Sequence, residues 1–291
     1  MKRLMIVIAL LAWIFVACSI DETTGNDISN EEAETDTEQQ SEQNGKTTEE
    51  KIDGVENDED GVDEEDEIEL QYYIAEDSSV VPLHNDVNEQ VVLLTFDDAP
   101  STYTMEMAET LKKLDAGAIF FVNGHLLDTP ESEEQLKQLH EMGFLIGNHT
   151  YNHPLLTDIS EEEQRDEIIR LSDRIEEIIG ERPKFFRAPN GMNTDFSEQL
   201  VEEEGMVLMN WTYGFDYFEP YMDAEKLAEA MITGEGPEVG VSYSLLKPGA
   251  NLLMHDREWT NEALEAIVEG LRDNGYEIVD PTLIQVMDEE D

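Results

Sequence analysis

The chain has 291 residues, 70 of them Asp or Glu and 17 Lys or Arg, for a formal net charge of −53 at neutral pH. That balance argues against a nucleic-acid binder, because phosphate contacts need clustered Lys and Arg. One Cys in the whole chain excludes an internal disulfide framework and a cysteine-built zinc site.

The first segment reads as an address. Lys2 and Arg3 precede an unbroken apolar run from Leu4 to Val16, shorter than the about 20 residues a membrane span needs. Residues 1–18 are therefore expected to be a secretory signal. Ala17 before Cys18 resembles the end of a bacterial lipoprotein signal, with Cys18 as the lipidation site, although Phe15 stands where Leu is usual. The alternatives are a plain cleaved signal or an uncleaved anchor. A diacylglycerol on Cys18 would attach the chain stably to the outer face of the cell membrane.

Residues 19–70 are expected to be a disordered acidic linker. They hold 22 acidic and 2 basic residues, with too little apolar surface to offset the entropy of ordering. Glu56, Asp58, Asp60, Gly61, Glu64 and Glu67 fall at the offsets of a calcium-binding loop. Glu56 replaces the usual Asp, Asp63 occupies an apolar position and no flanking helices are evident, so a featureless linker is the better reading.

Residues 71–291 are expected to form one domain, with 48 acidic against 13 basic residues. Self-repulsion of that size is relieved by salt, which suggests a protein adapted to high salt or alkaline pH. Apolar runs of strand length occur at Val91–Phe96, Ala118–Val122, Phe144–His149, Phe185–Pro189, Met206–Trp211, Ala250–His255 and Tyr276–Asp280. Most are separated by amphipathic stretches. Ser160 and Glu163 make a capping box before a helix ending at Gly180. Leu264, Ile267, Val268 and Leu271 form a helical stripe before Asn274 and Gly275. The alternation predicts a parallel sheet covered on its faces, as an open doubly wound sheet or a closed β/α barrel.

Ionisable residues sit at the ends of these strands. Asp97 and Asp98 follow the first, and His149, with His153 four residues on, ends the third. Arg187 lies near the end of the fourth, Asp216 beyond the fifth, and His255 ends the sixth. Parallel strands bring their C-terminal ends to one rim, where β/α active sites are built. His149 and His153 alone could be two surface loop histidines. With Asp98 they make a suitable first shell for Zn²⁺, leaving an open position for water. Asp97 and Asp98 alone could be two solvated carboxylates on a turn; in one site they would repel unless a cation neutralised each, a metal on one and Arg187 on the other. Asp97 would then stay charged and able to take a proton. His255 is either a satisfied core histidine or a general acid, with Asp216 placed to raise its pKa and orient its ring. His84, His125 and His140 have no such setting.

Four segments carry a family resemblance: Thr95-Phe96-Asp97-Asp98, His149-Thr150-Tyr151-Asn152-His153, Arg187-Ala188-Pro189-Asn190-Gly191 and Leu252-Leu253-Met254-His255-Asp256. Together they resemble the ordered motifs of polysaccharide deacetylases of the NodB-homology type, carbohydrate esterase family 4, over roughly residues 85–285. The likeness is strongest to bacillus-type cell-surface lipoproteins acting on peptidoglycan. It implies a distorted seven-stranded β/α barrel, one divalent metal, usually zinc, and a monomeric enzyme removing N-acetyl groups from peptidoglycan or a chitin-like glycan. By this resemblance Asp97 is the base, Asp98, His149 and His153 the metal ligands and His255 the acid. Arg187 positions the base, and Asp216 tunes His255. The backbone N–H of Asn190 is an oxyanion donor, and Leu253 with Trp211 walls the acetyl-methyl pocket. Ala99 stands where many members have Gly, and Asn190 where many have Tyr; neither removes a ligand or a proton-transfer group. The competing functions are O-deacetylation of xylan or another acetylated glycan, and a non-catalytic glycan-binding lipoprotein on the same scaffold.

Overall fold

The structure, a computed structural model, describes residues 69–286. The signal segment with Cys18, the candidate calcium loop and all of the linker before residue 69 lie outside the described residues.

The domain opens with a hairpin that the hydrophobic pattern did not reveal. Strand β1 (Tyr72–Ile74) pairs antiparallel with β2 (Val80–Pro82), Tyr72 facing Pro82. Seven parallel strands follow, one at each expected apolar run: β3 (Val91–Ala99), β4 (Ile119–Val122), β5 (Leu145–Asn148), β6 (Phe185–Phe186), β7 (Val207–Leu208), β8 (Ala250–His255) and β9 (Glu277–Ile278). Their order is β7-β6-β5-β4-β3-β8, with β9 pairing only Val91 and Val92 of β3. A single parallel bridge, Tyr213 to Leu252, links the segment after β7 to β8. The result is a curled parallel sheet, the distorted β/α barrel expected. The open doubly wound alternative is not what forms.

Six α-helices intervene among the described residues: α1 (Thr104–Lys113), α2 (Pro130–Glu141), α3 (Glu161–Ile179), α4 (Asp195–Glu203), α5 (Ala224–Thr233) and α6 (Glu258–Asp273). Local chemistry sets several of their ends. Ser160 and Glu163 satisfy each other's backbone N–H groups at the start of α3, and Gly180, at φ 84°, ends it in the left-handed conformation that costs glycine least. The stripe on α6 is buried at Leu264, Ile267, Val268 and Leu271, as its spacing required.

Side chains alternate across each strand, and this alternation puts apolar clusters on both faces of the sheet. One face carries Val92, Leu94, Phe96, Phe120, Val122, Leu252 and Met254, packed in one cluster with apolar residues of the helices. The other carries Val91, Leu93, Ile119, Phe121, Phe185 and Met209 in a second cluster. On this inner face β3 and β8 change character along their length. β3 reads Val91, Leu93, Thr95, Asp97, and β8 ends Leu253, His255. The barrel is apolar at its base and ionisable at its C-terminal rim.

Candidate active site

Asp97 and Asp98 are adjacent, so a regular strand would point them to opposite faces. A bulge prevents this. Between the pairs Phe96–Phe120 and Ala99–Val122, β3 spends three residues where β4 spends two. Asp98 takes up the extra residue at φ 64°, a conformation Asp tolerates better than most side chains. Both carboxylates thereby reach the same rim.

Asp97 is almost fully buried and meets Arg187, itself wholly buried, with Nη1 donating to Oδ1 at 2.6 Å. Arg187 is pinned by further bonds: Nη1 to Thr95 Oγ1 at 2.9 Å, Nη2 to the Asn210 carbonyl at 2.7 Å and Nε to the Met209 carbonyl at 3.4 Å. Its guanidinium lies 4.3 Å from the centre of the Phe121 ring. Burial alone would push the Asp97 carboxyl up, but Arg187, with His149 and His255, holds it below the usual carboxylate range. Asp97 is therefore a buried group that stays charged.

Asp98, His149 and His153 each offer one ligand atom, all within 4.8 Å of one another. Asp98 Oδ1 lies 3.7 Å from His153 Nε2, near the roughly 3.4 Å edge of a zinc tetrahedron. The Nδ1–H of His149 donates to the Arg187 carbonyl at 2.7 Å, which leaves the Nε2 lone pair for a cation. Burial pushes the His149 pKa down despite the carboxylate beside it, favouring the neutral imidazole that ligation needs. By chemistry and by spacing, these residues fit one divalent ion.

On the opposite side of Asp97, β8 places His255 across from it in register. Asp216 is fully buried and holds His255 twice, accepting the backbone N–H at 2.6 Å and Nδ1–H at 2.8 Å. Thr260 donates to the same carboxylate at 2.9 Å, and the Trp259 indole N–H to the Asp216 carbonyl at 2.8 Å. Burial lowers the His255 pKa, but Asp216 above all the other groups reverses this and raises it beyond the ordinary value. With Nδ1 committed, Nε2 is the atom free to exchange a proton.

The three residues expected at the substrate are near the same rim. Leu253 lies two residues before His255 on the inner face of β8 and is buried. Gly214 packs so closely on it that a Cβ there would come 2.4 Å from the Leu253 carbonyl. Trp211 stands beside Gly191 and 5.8 Å from the Arg187 guanidinium. Asn190 is exposed, at φ 55°. His84 is exposed in the lead-in, His140 lies on α2, and His125 is exposed in a short turn after β4.

Several residues of the site lie outside the expectations drawn from the sequence. Arg257 donates from Nη2 to Asp98 Oδ2 at 3.4 Å. Thr95 and Asn210 hold Arg187. Asn123, at the end of β4, donates through Nδ2 to the carbonyls of His149 at 2.7 Å and Thr150 at 3.2 Å. Only Thr95 and Asn123 had a usable signal, as polar residues in or just after an apolar strand on the parity of the inner face.

The polysaccharide deacetylase family model matches residues 84–209. A peptidoglycan-N-acetylglucosamine deacetylase of Bacillus cereus is 31% identical over 198 residues, covering 66% of this chain and 70% of that one. The Bacillus subtilis peptidoglycan-N-acetylmuramic acid deacetylase PdaC is 31% identical over 67% of this chain and 38% of its own. Its solved structure superposes with a TM-score of 0.57 at 29% identity, over 66% of this chain and 88% of that structure. A mutant, with restored enzymatic activity, of a Bacillus anthracis family 4 pseudoenzyme gives a TM-score of 0.58 at 29% identity, over 65% of each chain. The chain belongs to the polysaccharide deacetylase family, NodB-homology type, carbohydrate esterase family 4.

Proposed function

We propose that this protein is a metal-dependent hydrolase that removes N-acetyl groups from a cell-wall polysaccharide, with the N-acetylglucosamine of peptidoglycan as its substrate. The observation that carries the reading is the convergence of Asp98, His149 and His153 beside a buried, charged Asp97. Two relatives bearing peptidoglycan deacetylase names support the polymer class.

Asp98, His149 and His153 would hold the ion, with zinc the expected species. When bound, it supplies Lewis-acid polarisation of a carbonyl and a water of lowered pKa. Asp97 then acts as the base. Its Oδ1 is committed to Arg187, so Oδ2 accepts the proton of the attacking water. Arg187 keeps that carboxylate ionised and fixed in angle. The backbone N–H of Asn190 is the expected donor to the oxygen that gains charge. His255 gives the proton on Nε2 to the departing nitrogen, while Asp216 holds Nδ1 and stabilises the charged ring. Leu253 and Trp211 line the space for the acetyl methyl. The amide C–N bond breaks, releasing acetate and a sugar amine.

The same groups would serve ester cleavage, which is the second reading. The test is acetate release together with new free amines from purified peptidoglycan, set beside acetate release from acetyl-xylan, each with and without chelator. Amines formed only without chelator support N-deacetylation. Acetate from xylan with no amines from peptidoglycan overturns it. The signal at residues 1–18, lipidation of Cys18 and attachment to the outer face of the cell membrane complete the proposal. Labelling with a radioactive fatty acid, lost in Cys18→Ser, tests the anchor.

A further inference from the structure

Two of the three proposed metal ligands lie in one loop, His149 to His153, and that loop is strained. Thr150 has φ 66° and His153 has φ 58°. Left-handed backbone at a non-glycine residue costs about 1–3 kcal/mol and persists only where the surroundings over-determine it. The surroundings here are specific. From the β4 side, the fully buried Asn123 spends its amide on the carbonyls of His149 and Thr150. From α3, Glu167 is 8% exposed and faces the loop with both carboxylate oxygens. Its Oε2 accepts the backbone N–H of Asn152 at 2.6 Å and its Oε1 accepts Nδ2 of the same residue at 2.6 Å. The Glu167 carbonyl also accepts the N–H of Tyr151 at 3.0 Å, and Arg170, one turn further along α3, lies 3.6 Å over the Tyr151 ring.

Asn152 directly precedes the left-handed His153, so both bonds from Glu167 act on the residue next to that ligand. A buried carboxylate held by two donors on one exposed loop residue is not needed to finish α3, whose start is already capped by Ser160. We propose that Glu167 is a positioning residue for the metal site: it holds the 149–153 loop from α3 while Asn123 holds it from β4, so that His149 and His153 meet Asp98 without reorganisation. This rests on the metal-binding reading above. Glu167 touches neither substrate nor metal in this account; it acts through Asn152.

The experiment is zinc titration of the full chain by competition with a chromophoric chelator, with melting temperatures measured with and without zinc. Glu167→Gln retains one acceptor of the two, and Glu167→Ala retains none. Zinc affinity should fall on the order of 10-fold in the first and toward 100-fold in the second, the range found for residues supporting metal ligands. Asn152→Ala, at an exposed position, should weaken zinc without unfolding the chain. Leu171→Ala, in the buried face of the same helix, should lower the melting temperature yet keep wild-type zinc affinity, separating support of the loop from stability of α3. If Glu167→Gln, Glu167→Ala and Asn152→Ala all bind zinc as the wild type does, or if Leu171→Ala loses affinity equally, the positioning role is wrong. Failure of the wild-type chain to bind zinc or any other divalent ion refutes the metal-site reading instead.

Discussion

Buried carboxylates usually escape their burial by taking up a proton. Asp97 has Arg187 at 2.6 Å and does not. Replacing it by Asn keeps the shape and removes the proton acceptor, so Asp97→Asn should bind zinc normally and lose roughly 10²–10⁴-fold in kcat, the usual worth of a general base. His149→Ala should lose both zinc and activity. Parallel zinc titration and acetate assays check the pair; full activity in either variant refutes the assigned roles. His255 gives a test of sign. Asp216 holds its pKa above the ordinary value against the opposing effect of burial. The acid must be protonated to act, so Asp216→Asn should move the alkaline limb of the kcat/KM profile to lower pH. A limb that stays in place shows that another group is the acid. At this scale the sequence was most legible where a polar residue ended an apolar strand, as with Asp97, His149, Arg187 and His255. It was least legible for Asn210 and Arg257, whose contacts depend on which loops the barrel brings together.

Elements position these residues through sheet alternation and one bulge. The apolar runs located all seven parallel strands, because buried strands read as continuous hydrophobic stretches. They overstated β6, β7 and β9, which are only two residues long each. The β1–β2 hairpin went unseen, since three-residue strands carry too little pattern to register. The bulge at Asp98 was also invisible: adjacent carboxylates look alike whether they share a face or not. Close packing below the site is equally specific. Gly147 lies two residues before His149, and a Cβ there would stand 2.4 Å from the Phe121 ring. Phe121 in turn packs against Arg187. Gly147→Ala should therefore destabilise the domain by about 1–3 kcal/mol through overpacking, read as a lower urea midpoint with an unchanged slope. A midpoint equal to wild type would show that Phe121 moves aside freely.

The chain is acidic well beyond residues 19–70. Residues 71–291 alone carry 48 Asp and Glu against 13 Lys and Arg. The ion pairs of the domain are few beside that excess, and several, such as Lys113–Glu265 and Lys247–Asp77, are solvent-exposed and worth little. Repulsion among the remainder falls as salt shortens the screening length from about 10 Å at 0.1 M to about 3 Å at 1 M. The melting temperature should rise over that range of NaCl; a fall would refute adaptation to salt. The acidity also suits the proposed chemistry, since each acetyl group removed leaves an ammonium that an acidic surface attracts.

The claim on which the rest depends is that one cation is held by two imidazoles and one carboxylate at this rim. X-ray absorption at the zinc edge, on the full chain loaded with one equivalent, reads that shell directly. The expected spectrum shows nitrogen and oxygen neighbours at about 2.0–2.2 Å with the outer-shell signature of two imidazoles, reduced to one or lost in His149→Ala. A shell of oxygen alone, or a spectrum unchanged in His149→Ala, contradicts it.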